Sequence, residues 1–219
     1  MAITLWGRLT SVNVQKVVWA LEELGLAYEN VPRGGKFGGL DEPAYRALNP
    51  NGRVPTLRDG DVVVWESHAI VRYLAASYGA GSLWPLEPRE RAESDKWTDW
   101  TATTFQPGWL AVFEGIVRTP EAERDPAHIA RAEAAAHRLY AMLDQRLADR
   151  DFLGGSRPTY ADIVAGASMF RWMTMPHERP ALPNLEAWHR RLMARPAFVK
   201  AVCVDFSDMY GTPLPAGPN

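Results

Sequence analysis

Three short stretches carry residue types suited to a small peptide-like anion. The first is Thr10-Ser11-Val12-Asn13, where a hydroxyl or amide at the end of a strand can donate a hydrogen bond to an anionic atom. The second is Asn49-Pro50-Asn51-Gly52-Arg53-Val54-Pro55-Thr56-Leu57. A cis Val54-Pro55 bond there would let Val54 present both its N–H and its C=O outward, to pair with an extended peptide in β-fashion. The third is Trp65-Glu66-Ser67-His68-Ala69-Ile70. Ser67 stands where a helix N-cap belongs. The free N–H groups of a helix start suit a carboxylate, and Glu66 suits an ammonium group. Each stretch alone also has an ordinary account: a cap for the first and third, a turn for the second.

These stretches need elements to hold them. A β-rich run, Ala2–Trp6, is followed by apolar residues at helical spacing over Val14–Leu24, with Gly25 as the stop. Ala27–Val31 reads as a second strand, ahead of the glycine-rich loop Gly34–Gly39. Thr56–Leu57 and Val62–Trp65 flank Asp59-Gly60-Asp61, a hairpin signal, and a helix follows over His68–Tyr78. Strand–helix–strand implies a parallel pair and the hairpin adds antiparallel strands, so the expectation is a small mixed sheet covered by helices. Residues 79–88 lack periodicity and read as a linker between a unit over 1–78 and a helical unit over 89–219. In the second unit, Arg89–Val117 is a long helix that Pro107-Gly108 should bend. Pro126–Ala148 is amphipathic. Ile163–Met175 is apolar nearly all round and reads as a buried central helix. Leu185–Ala194 ends at Pro196, and the tail from Gly211 reads as irregular. The fold class expected is α/β plus all-α.

Composition narrows the function classes. The chain has 219 residues, a net charge of −2 and a single cysteine. Near-neutral charge without a Lys/Arg run gives no support to nucleic-acid binding. One cysteine excludes an internal disulfide, a Cys-x-x-Cys pair and a multi-cysteine zinc site, and no metal is expected. No apolar run is long enough for a membrane helix and no signal peptide is evident, so the expectation is a cytoplasmic chain without membrane association.

Taken together, the three stretches at these intervals resemble the glutathione transferases, in particular bacterial members of nu- or theta-like type. The loop at 49–57, the Glu66-Ser67 pair opening a helix, the Thr159-Tyr160-Ala161-Asp162 capping box and Leu185-x-x-Trp188…Arg195-Pro196 all match the family pattern. The resemblance implies a thioredoxin-like N-terminal domain and a C-terminal helical bundle. It implies that glutathione is the co-substrate, with Val54 beside cis-Pro55 binding its cysteinyl backbone. Glu66 and Ser67 would hold its γ-glutamyl end, with Arg53 and Lys36 near carboxylates. No tyrosine stands in the first strand–helix region. The thiol activator by resemblance is therefore Ser11, with Asn13 second and Thr10 third. A small hydrophobic electrophile, a peroxide or a disulfide would be the second substrate, beside apolar residues such as Phe105, Trp109 and Phe113. A homodimer also follows from the resemblance. The alternative from another class is a non-catalytic glutathione-binding or assembly module of the same fold.

Overall fold

The structure is a computed structural model that describes residues 3–213. Residue 2 of the first expected strand and residues 214–219 of the expected irregular tail lie outside them.

A four-stranded sheet has the order β2-β1-β3-β4, with β1 at Ile3–Trp6, β2 at Tyr28–Val31, β3 at Thr56–Asp59 and β4 at Val62–Trp65. β1 pairs in parallel with β2 and antiparallel with β3, and β3 pairs antiparallel with β4. This is the mixed sheet that the strand–helix–strand and hairpin signals predict. Gly60 makes the two-residue hairpin turn with Asp61, and its φ of 60° is one that a side chain disfavours. Alternation along β1 buries Ile3 and Leu5. Helices α1 (Val12–Glu23) and α3 (Ser67–Tyr78) pack on each other, and their Val14, Val17, Leu21, Ile70 and Leu74 complete this core.

The rest of the chain is helical. A short helix α2 (Pro43–Arg46) precedes β3. The long helical stretch begins with α4 (Pro88–Trp100), widens to a π-turn over Thr101–Phe105, continues as α5 (Gln106–Phe113) and ends in a second π-turn over Glu114–Arg118. The bend expected at Pro107-Gly108 is thus absorbed one turn upstream. A widened turn accommodates the missing proline donor without breaking the axis. Gly108 has a separate purpose: a Cβ there would lie 2.3 Å from Leu139 Cδ1, so glycine lets α5 approach α6 (Pro126–Arg146).

The expected central helix is two pieces, α7 (Tyr160–Gly166) and α8 (Met169–Thr174). The Ser168 hydroxyl donates back to the Ala165 carbonyl at 3.0 Å, competing with the helical ladder where the pieces part. The capping box of α7 is present as expected from Thr159 and Asp162. α9 spans Pro183–Met193. It stops ahead of Pro196, as expected, and Pro196 opens another helix, α10 (Pro196–Val202), as proline readily does in a first helical turn. Cys203 caps α10, with its Sγ 3.6 Å from Met193 Sδ, and burial pushes its thiol pKa up. No described helix is long and apolar enough to cross a membrane.

Candidate functional site

The strand register brings the singled-out stretches to one edge of the sheet. Trp6, Thr56 and Trp65 are mutually paired neighbours across β1, β3 and β4, and Val31 pairs with Trp6 on the other side. The segments beginning after Trp6, ending before Thr56 and beginning after Trp65 therefore all start from this edge. The glycine-rich loop after Val31 starts there too.

Gly7 turns the chain from β1 toward α1. A Cβ there would meet Val14 Cγ2 at 2.4 Å, so only glycine allows the helix to close this tightly over the strand end. Ser11 is the N-cap residue of α1, yet its side chain makes no capping hydrogen bond. The ordinary cap reading of Ser11 is therefore not what its hydroxyl does. Asn13 lies two residues on, in the first helical turn. Its Oδ1 accepts from Lys16 Nζ at 3.0 Å and from Ser67 Oγ at 3.4 Å.

The 49–55 loop is fixed from within. Asn49, 2% exposed, donates from Nδ2 to the Arg53 carbonyl at 2.9 Å and to Thr56 Oγ1 at 3.1 Å. The buried Tyr45 hydroxyl bonds the same carbonyl at 2.6 Å. The Val54-Pro55 bond is cis. Neither the N–H nor the C=O of Val54 has a hydrogen-bond partner among the described residues. Such a pair of half-exposed backbone groups is open to an extended ligand.

At the third stretch the structure corrects the capping assignment. Glu66, not Ser67, is the N-cap residue, with φ 70° and ψ 116°, and Ser67 is the first residue of α3. The Ser67 hydroxyl turns to Asn13 instead of to its own helix. Glu66 is the only non-glycine residue with positive φ among the described residues. Strain of this kind costs on the order of 1–3 kcal/mol and persists where the surroundings hold it, often at ligand sites.

Ser11, Asn13, Val54, Pro55, Glu66 and Ser67 are thus gathered on one edge. Lys36 and Arg53 sit on exposed backbone beside it, and neither side chain makes a hydrogen bond or ion pair among the described residues; Lys36 lies only over the Phe37 ring. Phe105 and Trp109, candidates for a second pocket, are buried in the helical core, where Phe105 packs on Tyr140. Phe113 is also buried, with Arg171 over its ring.

Sequence reasoning missed the group beneath the edge. Lys16 is fully buried, and its ammonium is shared by Asn13 Oδ1, His68 Nε2 at 2.8 Å and Gln106 Oε1. Burial lowers its pKa to about 7, against the raising influence of Glu66. Burial, then the Lys16 and Arg72 cations, lower His68 to about 2, so its ring is neutral and offers Nε2 as acceptor. Nothing local marks Lys16, which lies opposite the apolar stripe of its helix. Arg171 was also missed, although a lone charge inside the apolar 163–175 run was a usable signal. No group of three or more His, Cys, Asp or Glu residues able to hold a metal occurs among the described residues.

The comparisons with known proteins cover both units. Residues 1–76 match the family model described as glutathione S-transferase, N-terminal domain, and residues 126–191 match the glutathione S-transferase, C-terminal domain. Glutathione S-transferase GstB of Escherichia coli (strain K12) is 42% identical over 207 residues, covering 94% of this chain and all of the relative. The theta class glutathione S-transferase of Xanthomonas axonopodis pv. citri, solved with glutathione bound, is 52% identical with a TM-score of 0.90 over 93% of this chain and 98% of its own. A glutathione S-transferase-I bound with lactoylglutathione has a TM-score of 0.85 at 26% identity, over 93% of this chain and 99% of its own. With a mixed sheet, a helical partner unit and relatives matched across nearly their whole length, the chain belongs to the glutathione S-transferase family.

Proposed function

We propose that this edge binds glutathione and that Ser11 activates its thiol for attack on a small electrophile, a peroxide or a disulfide. The observation that carries the reading is the unpaired N–H and C=O of Val54 on the same edge as the uncommitted Ser11 hydroxyl. Val54 would pair with the cysteinyl backbone, beside Pro55. Ser67, at the start of α3, and Glu66 would take the γ-glutamyl carboxylate and amine. Arg53 and Lys36, both exposed and without an ion pair among the described residues, would meet carboxylates. Asn13 has its Oδ1 engaged by Lys16 and Ser67, which leaves its amide N–H groups to donate. It therefore orients the ligand, while Ser11 donates to sulfur. In this reading residues 1–78 bind glutathione, 79–88 connect, and 89–219 shape the electrophile side. The expected form is a cytoplasmic homodimer that uses no metal.

The energetic demand on Ser11 is modest. A thiol of pKa about 8.5 is roughly 3% ionised at pH 7, and lowering that pKa by about two units takes about 2.7 kcal/mol. One or two charge-assisted hydrogen bonds supply that. The thiolate fraction then rises roughly 25-fold, so positioning of the electrophile must contribute the remaining acceleration.

The test compares the ultraviolet thiolate absorbance of bound glutathione in the native chain, Ser11→Ala and Asn13→Ala. Ser11→Ala is expected to lose most of it, with turnover of a generic aryl halide falling about tenfold or more. If neither variant lowers the absorbance, the activator assignment is wrong. Retention on a glutathione column without any turnover would instead identify a binding module.

A further inference from the structure

Three arginines from three separate elements lie within Coulomb range of one another, two of them, Arg8 and Arg171, against the Thr10-Ser11 backbone. Arg171 of α8 is 3% exposed and donates from Nη2 to the Thr10 carbonyl at 2.6 Å. Its guanidinium lies 4.9 Å from the Phe113 ring centre and 5.7 Å from that of Phe206. Arg8 lies in the β1–α1 loop, where its carbonyl accepts from the Ser11 N–H at 3.0 Å. Arg118 ends the second π-turn and donates from Nη1 to the Thr212 carbonyl at 3.0 Å.

The group is electrostatically unbalanced. Arg171 Nε and Arg118 Nε are buried without partners among the described residues. None of the three arginines takes part in an ion pair among those residues. Burial first, then Arg118 and Arg8, lower Arg171 to about 9. Asp208 faces Arg8 and Arg118, and Glu114 faces Arg118, but burial raises the Glu114 carboxyl. A tether between α8 and the Thr10 carbonyl would need Arg171 alone. It gives no reason for two more cations within its Coulomb range. Folded proteins seldom gather buried like charges unless an anion completes the set.

We infer that Arg8, Arg118 and Arg171 form a carboxylate-binding subsite for the second substrate, an electrophile with an anionic end. This rests on the reading of Ser11 as the thiol activator, because the subsite is tied to the residue before it. For a haloaryl carboxylate, the glutathione sulfur attacks the carbon bearing the halogen. The C–S bond forms and the carbon–halogen bond breaks. The halide leaves with the bonding pair, the thiol proton goes to solvent, and the carboxylate is an unchanged handle.

The experiment measures kcat/KM, relative to the uncatalysed rate, for 4-chloro-3,5-dinitrobenzoate and its neutral amide with the native protein, Arg8→Gln and Arg118→Gln. The acid is expected to be preferred at least tenfold, and its KM to rise with sodium chloride. Each variant should reduce the preference at least fivefold through the KM of the acid. Misfolding would lower both substrates together and leave their ratio in place, so the ratio reports the subsite. A native ratio near one, or a ratio that neither variant moves, overturns the inference while glutathione binding and turnover of the amide leave the proposed function standing. A variant that raises the KM of glutathione instead would assign the arginines to a glutathione carboxylate and also overturn it. Failure of the native protein to bind glutathione by calorimetry overturns both.

Discussion

Lys16 shows how a site can rest on a residue that its own helix does not announce. Its ammonium ties Asn13, His68 and Gln106 together under the sheet edge. The apolar spacing Val14, Val17, Val18, Leu21 places Lys16 on the polar side, where solvent is expected. That side is buried because the helical unit, through Gln106 of α5, covers it. Packing of distant chain decides this exposure, and a local pattern cannot carry it. Ser11, Val54, Glu66 and Ser67 were legible because their types and intervals follow the backbone of one sheet edge. With its pKa lowered to about 7, Lys16 binds fewer protons folded than unfolded between about pH 7 and the ordinary lysine value of 10.5. Its penalty is complete below that window, and stability rises with pH through it. Lys16→Met is expected to remove a pH-linked gain on the order of 2 kcal/mol between pH 6.5 and 9, read from urea midpoints at the two values. The same variant loosens Asn13 and should raise the KM of glutathione. An unchanged pH slope would show that Lys16 does not titrate in this range.

At the scale of elements, α7 rests on a carboxylate. Asp162 is fully buried and accepts from Leu153 N at 2.8 Å, Thr159 N at 2.9 Å and Trp188 Nε1 at 3.1 Å. One side chain thus caps α7, fixes the preceding loop and docks α9. The capping box itself was legible from Thr159 and Asp162, three residues apart. The bonds to Leu153 and Trp188 were not, since they depend on how the loop and α9 fold back. Asp162→Asn places an amide donor among donors, and is expected to destabilise by about 3 kcal/mol in urea unfolding. Thr159→Ala removes one cap acceptor and should cost about 1 kcal/mol. The break between α7 and α8 was invisible in the sequence, because an apolar run reads the same whether or not Ser168 bends it.

The whole molecule is held by contacts that cross between its two units. Trp19 of α1 meets Phe198 of α10 edge to face at 4.9 Å, and Glu23 pairs with Arg195. Arg72 of α3 bonds Asp95 at 2.8 Å and also Asp99, both on α4. That two units of this size pack together follows from how little core each could bury alone; which faces meet does not follow, since aromatic and charged residues on both sides offer several matches. A close approach across the seam is at Gly166. A Cβ there would stand 2.9 Å from Leu192 Cδ1 and 3.0 Å from Trp19 Cζ3. Gly166→Ala is therefore expected to destabilise by about 1–3 kcal/mol through overpacking. Unfolding followed by tryptophan fluorescence and by circular dichroism should still coincide, as one cooperative transition. Separated transitions would mean that the seam is not shared structure.

Cys203 would give a chain with the proposed activity a form of self-protection. An enzyme that gathers reactive electrophiles is exposed to alkylation by its own substrates. The chain encodes one thiol, set against Met193, and burial keeps it protonated at neutral pH. Protonated sulfur is a poor nucleophile. In the proposed reaction the activated sulfur is carried in by a ligand and leaves with the product, so suicide inactivation through cysteine would have almost no target in this chain.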